Sequence, residues 1–252
     1  MNETIQHLLN HRSVRSYSDK PLSDEQIQGI VSSAQAAATS SFVQAYTIIG
    51  VKDPLKKDKL AELSGKQAYV SHNGHFFVFC LDLNRLAIAS QIEKAAPEEI
   101  NQTLASTETF MIGVIDTALA AQNAVVAAES MGLGICYIGG LRNQLEQVCE
   151  ILKTPDRVIP LFGLSVGYPA DGAEQKQRLP FDNVYHEDEY NQDKDQFINQ
   201  LIQYNEEISS YYADRTSGKR KDRWTEMMTK LLKNPKRLFM KELLRKKGLP
   251  LE

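Results

Sequence analysis

Cysteine, metal-ligand spacing, nucleotide fingerprints and long apolar runs are what this sequence lacks. Only three cysteines, Cys80, Cys136 and Cys149, occur in 252 residues. They are too few and too scattered for a disulfide framework. Their apolar or helical surroundings read as reduced, buried thiols in a cytoplasmic protein, with a catalytic thiol the minor reading. There is no HExxH, and His72 and His75 have no Cys, Asp or Glu at helical spacing beside them, so no metal is expected. The absence of GxGxxG and GxxxxGK[ST] points away from a resident dinucleotide or nucleoside triphosphate, and there is no GxSxG nucleophile. No basic segment followed by an apolar core opens the chain, so no secretory signal is expected. The most apolar stretch, 110–128, is broken by Asp116, Thr117, Gln122 and Asn123. It reads as a core helix, and no membrane partner is expected.

What is present is an ordinary globular composition, 42% hydrophobic and 24% charged, long enough for a sizeable core. Helical periodicity covers 4–10, and a capped helix begins at Ser23 with Gln26 three residues on, running to about Ala38. The hydroxyl run Thr39-Ser40-Ser41 then favours a turn. Strands are expected at 46–51, 75–83, 135–138 and 158–166, from β-branched or near-continuous apolar runs. Asp53-Pro54 opens a helix that Gly65 ends. Further helices are expected at 84–93, 97–104, 107–131, 144–152, 196–212 and 224–247. No repeat or low-complexity linker divides the chain. A single α+β domain, 1–252, with a C-terminal helical extension is the economical reading.

Charge is uneven. From Asp214 onward 13 Lys/Arg face 5 Asp/Glu, a balance of +8, against −11 for the first 213 residues. A basic tail on an acidic body suggests that the tail folds back, meets a partner, or binds an anion.

Five features could carry chemistry. His11-Arg12-Ser13-Val14-Arg15-Ser16-Tyr17 is either a basic surface turn or a grip on phosphate, because a guanidinium fork matches the anion's oxygens. The hydroxyls of Thr39, Ser40 and Ser41 could bond a polyol or simply form a turn. Gln67 and Tyr69 offer an amide for a heterocycle's edge and a ring for its face, or merely cap the next strand. Gly139-Gly140 after an apolar strand lets backbone approach a ligand closely, or makes a tight turn. Lys176 and Arg178 are a solvated pair or a second phosphate clamp. Together they are the parts a flat, phosphate-bearing cofactor needs.

At these residues the sequence resembles the bacterial oxygen-insensitive NADPH nitroreductases and NADPH-dependent flavin reductases of the flavin reductase P type. The segments 11–17, 40–44, 75–80, 132–143 and 160–163 carry the likeness, with Gly167-Tyr168-Pro169-Ala170, Lys176, Arg178, Leu179 and Pro180 in the loop that follows. The resemblance implies a nitroreductase-like α+β fold, a central mixed, mainly antiparallel sheet flanked by helices. It also implies a homodimer, with the helical extension 193–252 wrapping the partner subunit. FMN would be held non-covalently. His11, Arg12, Ser13 and Arg15 would contact phosphate, ribityl and ring edge, with the hydroxyls of Thr39 and Ser40 nearby. Position 39 is threonine where relatives often have serine, and the hydroxyl survives. Gln67 and Tyr69 would line the ring, the backbone of Tyr137, Ile138, Gly139 and Gly140 would face it, and Lys176 and Arg178 would reach it from the other side. Arg215 and Arg220 match a basic loop that reads the 2′-phosphate of NADPH. The implied activity is two-electron, ping-pong reduction of flavins, nitro compounds or quinones, with no essential catalytic side chain. The alternative is a colourless nucleic-acid-binding protein that uses the basic tail.

Overall fold

A computed structural model describes residues 1–249; the last three residues of the expected extension, 250–252, lie outside the described residues. The helices are α1 (Glu3–Leu9), α2 (Asp24–Gln35), α3 (Pro54–Leu63), α4 (Ala68–Ser71), α5 (Asn84–Ile92), α6 (Pro97–Leu104), α7 (Thr107–Ser130), α8 (Leu145–Leu152), α9 (Lys194–Arg215), α10 (Trp224–Leu232) and α11 (Met240–Lys246). The strands are β1 (Tyr46–Val51), β2 (His75–Asp82), β3 (Gly134–Ile138) and β4 (Val158–Gly167). Two compact units result, one of Met1–Gln175 with the tail from Arg237, the other Lys176–Lys236.

The first unit is built on a sheet of order β1-β2-β4-β3, antiparallel at each pairing of these strands. A parallel bridge from Ser13 to Ile135 and an antiparallel one from Tyr17 to Pro169 add the N-terminal segment beside β3 and β4. All eight residues of β2 are buried, as its unbroken apolar run requires. Alternation along the strand sends Phe76, Val78 and Cys80 into one apolar cluster and Phe77 and Phe79 into another. On the second face α7 packs through Ala120, Ala121, Ala124, Val125 and Ala128. Small side chains let it lie close: a Cβ on Gly113 would stand 2.7 Å from Leu81 Cγ.

Local signals explain the helix ends. Ser23 accepts the N–H of Gln26 while the Gln26 side chain accepts the N–H of Ser23, a capping box. Asp53 caps α3, whose first residue is Pro54. The helix expected over 224–247 is two helices instead, α10 and α11. Pro235 lies between them; it offers no N–H and disfavours helical geometry at Asn234. α4 and the 3-10 turns at Ser40–Phe42, Gly139–Gln144 and Phe181–Asn183 had no periodic signal.

α7 is 24 residues long and apolar enough, by length and composition, to cross a membrane. In this fold it buries Asp116 and Thr117 along with its alanines and packs on α2 and the sheet. Met111, Ile115 and Leu119, spaced four apart, form an exposed apolar stripe on it. The second unit holds α9 and α10, joined through Tyr204, Ile208, Tyr212, Trp224 and Met227.

His75 opens β2 with its Nε2 buried and without a hydrogen-bond partner. Gly50 makes room for it, since a Cβ there would lie 2.9 Å from that nitrogen. Burial, then the charges of Lys52 and Lys57, hold the imidazole pKa down at about 4, against a small opposing effect of Asp24. Between pH 4 and 6.5 the unfolded chain therefore binds more protons at His75 than the folded one, and stability rises with pH across that window. Urea melts should show His75 contributing about 2 kcal/mol more stability at pH 6.5 than at pH 4.5. His75→Gln should flatten the profile by that amount, and an unchanged slope would contradict the assignment.

Candidate functional site

The N-terminal basic segment is stitched to the sheet edge. Val14 N–H donates to Ile135 O at 2.8 Å. Val14 fits because residue 134 is glycine; a Cβ there would come within 2.6 Å of Val14 Cγ2. The Tyr17 hydroxyl donates to Val14 O at 2.8 Å and reaches Ser165 O at 3.2 Å. These contacts fix the direction of the side chains between them. His11 Nδ1 lies 2.7 Å from Glu129 Oε1 at the end of α7. Arg12 turns back onto Asn10, donating to its carbonyl at 3.2 Å and to its Oδ1 at 2.7 Å. Arg12 and Val14 line a cavity of about 300 Å³ with His7, Glu129, Leu133 and Asp171.

Arg15 sits in a different setting. Its guanidinium, on an exposed side chain, stands near enough to Tyr69, Tyr17 and Cys136 to act on all three electrostatically. Burial, ahead of any charge, raises the pKa of Tyr17, Tyr69 and Cys136, so all three are protonated and neutral near pH 7. Among the described residues no carboxylate forms a salt bridge with Arg15. The cluster is therefore positive, with one cation among neutral groups.

Tyr69 continues the chain of contacts. Its hydroxyl donates to Gln67 Oε1, and Gln67 Nε2 donates to Ser64 O. The amide is thereby oriented, with one N–H left over. Gly140 is pressed against the same groups, since a Cβ there would fall 2.4 Å from Ser64 O and 2.5 Å from Gln67 Nε2. β3 delivers this glycine pair: its residues are buried except Tyr137, whose ring meets Phe162 edge-on at 5.4 Å. The structure thus brings Arg15, Gln67, Tyr69 and Gly140 into one cluster, with Tyr137, Ile138 and Gly139 leading into it.

Thr39 and Ser40 lie in a loop that depends on a residue the sequence reading missed. Asp116, fully buried on α7, accepts the N–H of Ser40 at 2.8 Å and that of Ala45 at 3.1 Å. Between these anchors Ser41, Phe42 and Gln44 have φ of 47°, 61° and 54°, each about 1–2 kcal/mol uphill for a residue with a Cβ. Phe42 is 82% exposed. Asp116 entered the sequence reading only as an interruption in an apolar helix; a carboxylate in such a run was itself the signal that it must find donors.

Lys176, Arg178, Arg215 and Arg220 belong to the second unit. There Lys176 Nζ lies 5.7 Å from the centre of the Tyr212 ring and Arg220 Cζ lies 4.5 Å from it. Arg178 donates to Lys176 O at 2.7 Å. Arg215 donates to Tyr211 Oη at 3.0 Å, with its guanidinium 5.9 Å from that ring. Adjacent tyrosines at the end of α9 thus carry both arginines. The sequence reading had given these tyrosines only a helix, 196–212, and no role. A cavity of about 440 Å³ in this unit is lined by Asp182, Tyr185, Glu187, Glu189 and Tyr190, an acidic surface unsuited to phosphate.

Comparison with known proteins gives consistent results along the chain. Residues 8–168 match the family model described as Nitroreductase family, and 176–252 the one described as Nitroreductase family, C-terminal domain. The chain is 52% identical over 248 residues to the FMN reductase (NADPH) of Bacillus subtilis (strain 168), covering 98% of each. It is 44% identical over 252 residues to an NADPH-dependent oxidoreductase of Staphylococcus aureus (strain USA300), covering 99% of each. Among solved structures, B. megaterium NfrA1 superposes with a TM-score of 0.96 at 58% identity, over 99% of this chain and 100% of that one. The NADPH:FMN oxidoreductase from Vibrio harveyi, complexed with NAD⁺, superposes with a TM-score of 0.88 at 36% identity, over all of both chains.

Asp116→Ala would leave two backbone N–H groups without their acceptor and release the left-handed loop. A stability loss of about 3 kcal/mol is expected in urea melts, with about half of it restored in Asp116→Asn, which keeps one acceptor. Equal stability of Asp116→Ala and wild type would contradict the clamp.

Proposed function

The chain belongs to the nitroreductase family, and we propose that it is an NADPH-dependent flavin reductase and nitroreductase that binds FMN without a covalent bond. NADPH would reduce flavins, nitro compounds or quinones through it by a two-electron, ping-pong cycle. The names of the B. subtilis and S. aureus relatives support this across nearly the whole chain. The observation in this structure that carries it is Arg15, a cation with no salt-bridging carboxylate among the described residues, set beside an oriented amide and a glycine pair. That donor set fits FMN: a charge for its anionic groups, amide and backbone for its ring edge, and no Cβ to block close approach.

In this reading His11, Arg12, Ser13, Arg15, Thr39, Ser40, Gln67, Tyr69, Tyr137, Ile138, Gly139 and Gly140 contact FMN. Lys176 and Arg178 are proposed FMN contacts as well, and Arg215 and Arg220 take the 2′-phosphate of NADPH. FMN, when bound, supplies the capacity to accept and pass on a hydride equivalent. The chain's own part is to bind and orient. Tyr69 fixes the Gln67 amide, and Arg15 supplies positive charge where negative charge develops. Tyr17, Tyr69 and Cys136 hold their protons through burial, so none is a general base near pH 7.

The exposed stripe Met111, Ile115 and Leu119, with Ile5, Leu8 and Leu9 on α1, supports a homodimer in which such faces are covered. The whole chain then serves as one FMN-binding domain whose extension, 193–252, reaches the partner subunit, in the cytoplasm where its thiols stay reduced. The names of the relatives give the nucleic-acid reading no support, and part of the basic tail is engaged by the chain itself. Arg237 donates to Asn143 Oδ1 at 2.8 Å and Lys247 to Thr154 O at 2.8 Å, so these two cations are engaged within the first unit.

The wild-type protein should purify with FMN, and Arg15→Ala should lose most of it, by flavin absorbance after gel filtration. Unchanged occupancy in the variant would remove Arg15 from the site. Arg220→Ala should raise KM for NADPH about ten- to a hundredfold and leave KM for NADH nearly unchanged, in proportion to a lost charge-assisted contact of about 1.5–3 kcal/mol. Equal effects on the two would remove the 2′-phosphate assignment.

A further inference from the structure

Arg220 is already engaged by an anion of the chain's own. Its Nε donates to Asp222 Oδ2 at 2.6 Å, and Nη2 lies 2.6 Å from the same oxygen. That Nε–Nη2 edge is the one a phosphate would take bidentately. The guanidinium rests on the Tyr212 ring, and the Arg220 backbone N–H donates to Thr216 Oγ1 at 2.9 Å, which itself donates to Tyr212 O at 2.6 Å. The arginine is therefore held in place by contacts separate from the carboxylate. Arg223, the next arginine along, is taken by Glu226. The side chains of Arg220 and Asp222 are 54% and 38% exposed, so their pair is open to solvent and weak enough to exchange.

We propose that Asp222 is a specificity residue, a displaceable counter-anion that gives up Arg220 to a phosphomonoester but not to a ribose hydroxyl. The proposal rests on the reading of Arg220 as the contact to the NADPH 2′-phosphate. A phosphomonoester carries about −1.5 to −2 charge near neutral pH and three strong acceptor oxygens, against one charge and two oxygens for a carboxylate. The exchange therefore runs toward the phosphate while Tyr212 keeps the guanidinium in position. A neutral 2′-hydroxyl cannot drive the exchange, and NADH leaves the Arg220–Asp222 pair closed. The same competition works in reverse when the oxidised product departs, because Asp222 recaptures Arg220. In a ping-pong cycle, where product must vacate before the acceptor enters, that return favours release over retention. Asp222 thus holds NADPH affinity below what Arg220 alone would give.

The test is Asp222→Asn in the holoenzyme, with Arg220→Ala in parallel. Asp222→Asn should lower KM for NADPH and the inhibition constant of NADP⁺ about two- to fivefold, the span of an exposed ion pair, with KM for NADH unchanged. Adenosine 2′-monophosphate should likewise inhibit the variant more strongly than wild type, while adenosine 5′-monophosphate inhibits both alike. Parallel shifts for NADPH and NADH, or no shift for either, would overturn the proposal. If Arg220→Ala separates NADPH from NADH but Asp222→Asn does not, the role of Asp222 falls and that of Arg220 stands. If Arg220→Ala does not separate them, the phosphate reading falls and takes the proposal with it.

Discussion

The contact on which the candidate site depends is the seam between residues 13–17 and the edge of the sheet. One backbone hydrogen bond, Val14 N–H to Ile135 O, and the Ser13–Ile135 bridge align a short segment that is neither strand nor helix. Gly134 lets Val14 sit against β3, and the half-buried Tyr17 closes the far end through its hydroxyl on Val14 O and Ser165 O. With both ends held, the backbone presents Arg15 on the side of Tyr69, near enough to act on it electrostatically. The seam thus orders the backbone that carries this cation, and a ligand need not bear that part of the ordering cost. The same register puts the exposed Tyr137 and the glycine pair just beyond β3, so one strand edge sets both halves of the cluster.

A second constraint acts at a distance from that seam. Asp116 takes two backbone N–H groups from a loop in which three residues with side chains adopt left-handed geometry. Such a loop would not persist by itself, and it carries the Thr39 and Ser40 hydroxyls. In the other unit, Tyr211 and Tyr212 do comparable work for Arg215 and Arg220, holding long, flexible cations on flat rings. In each case a buried or half-buried residue, itself remote from chemistry, decides where a polar group points.

Much of the fold was legible because its determinants are local. Ser23 with Gln26, Asp53 with Pro54 and the apolar run of β2 each specify their element within a few residues, and the structure has all three. The break between α10 and α11 was written in Pro235, but the helical period on either side of it masked the signal. What stayed hidden depends on contacts far apart in the chain. Nothing in Ser41, Phe42 or Gln44 announces a positive φ, because the cause is a carboxylate more than seventy residues away. The basic residues of 11–17 were readable as a group. That Arg12 would turn to Asn10 while Arg15 stood on the side of Tyr69 was not, since the division follows from the seam with β3. The family likeness supplied roles for these residues; the geometry adds which of them form one cluster within the first unit.

If this cluster serves a bound flavin reduced by NADPH, the flavin must respond to NADPH directly. Anaerobic titration of the purified protein with NADPH, followed by visible absorbance, tests it most directly. The protein should be yellow, and its visible flavin absorbance should bleach in full at about one equivalent of NADPH per bound FMN and return on adding a quinone. A colourless protein, or a yellow one that NADPH leaves unbleached, would contradict it.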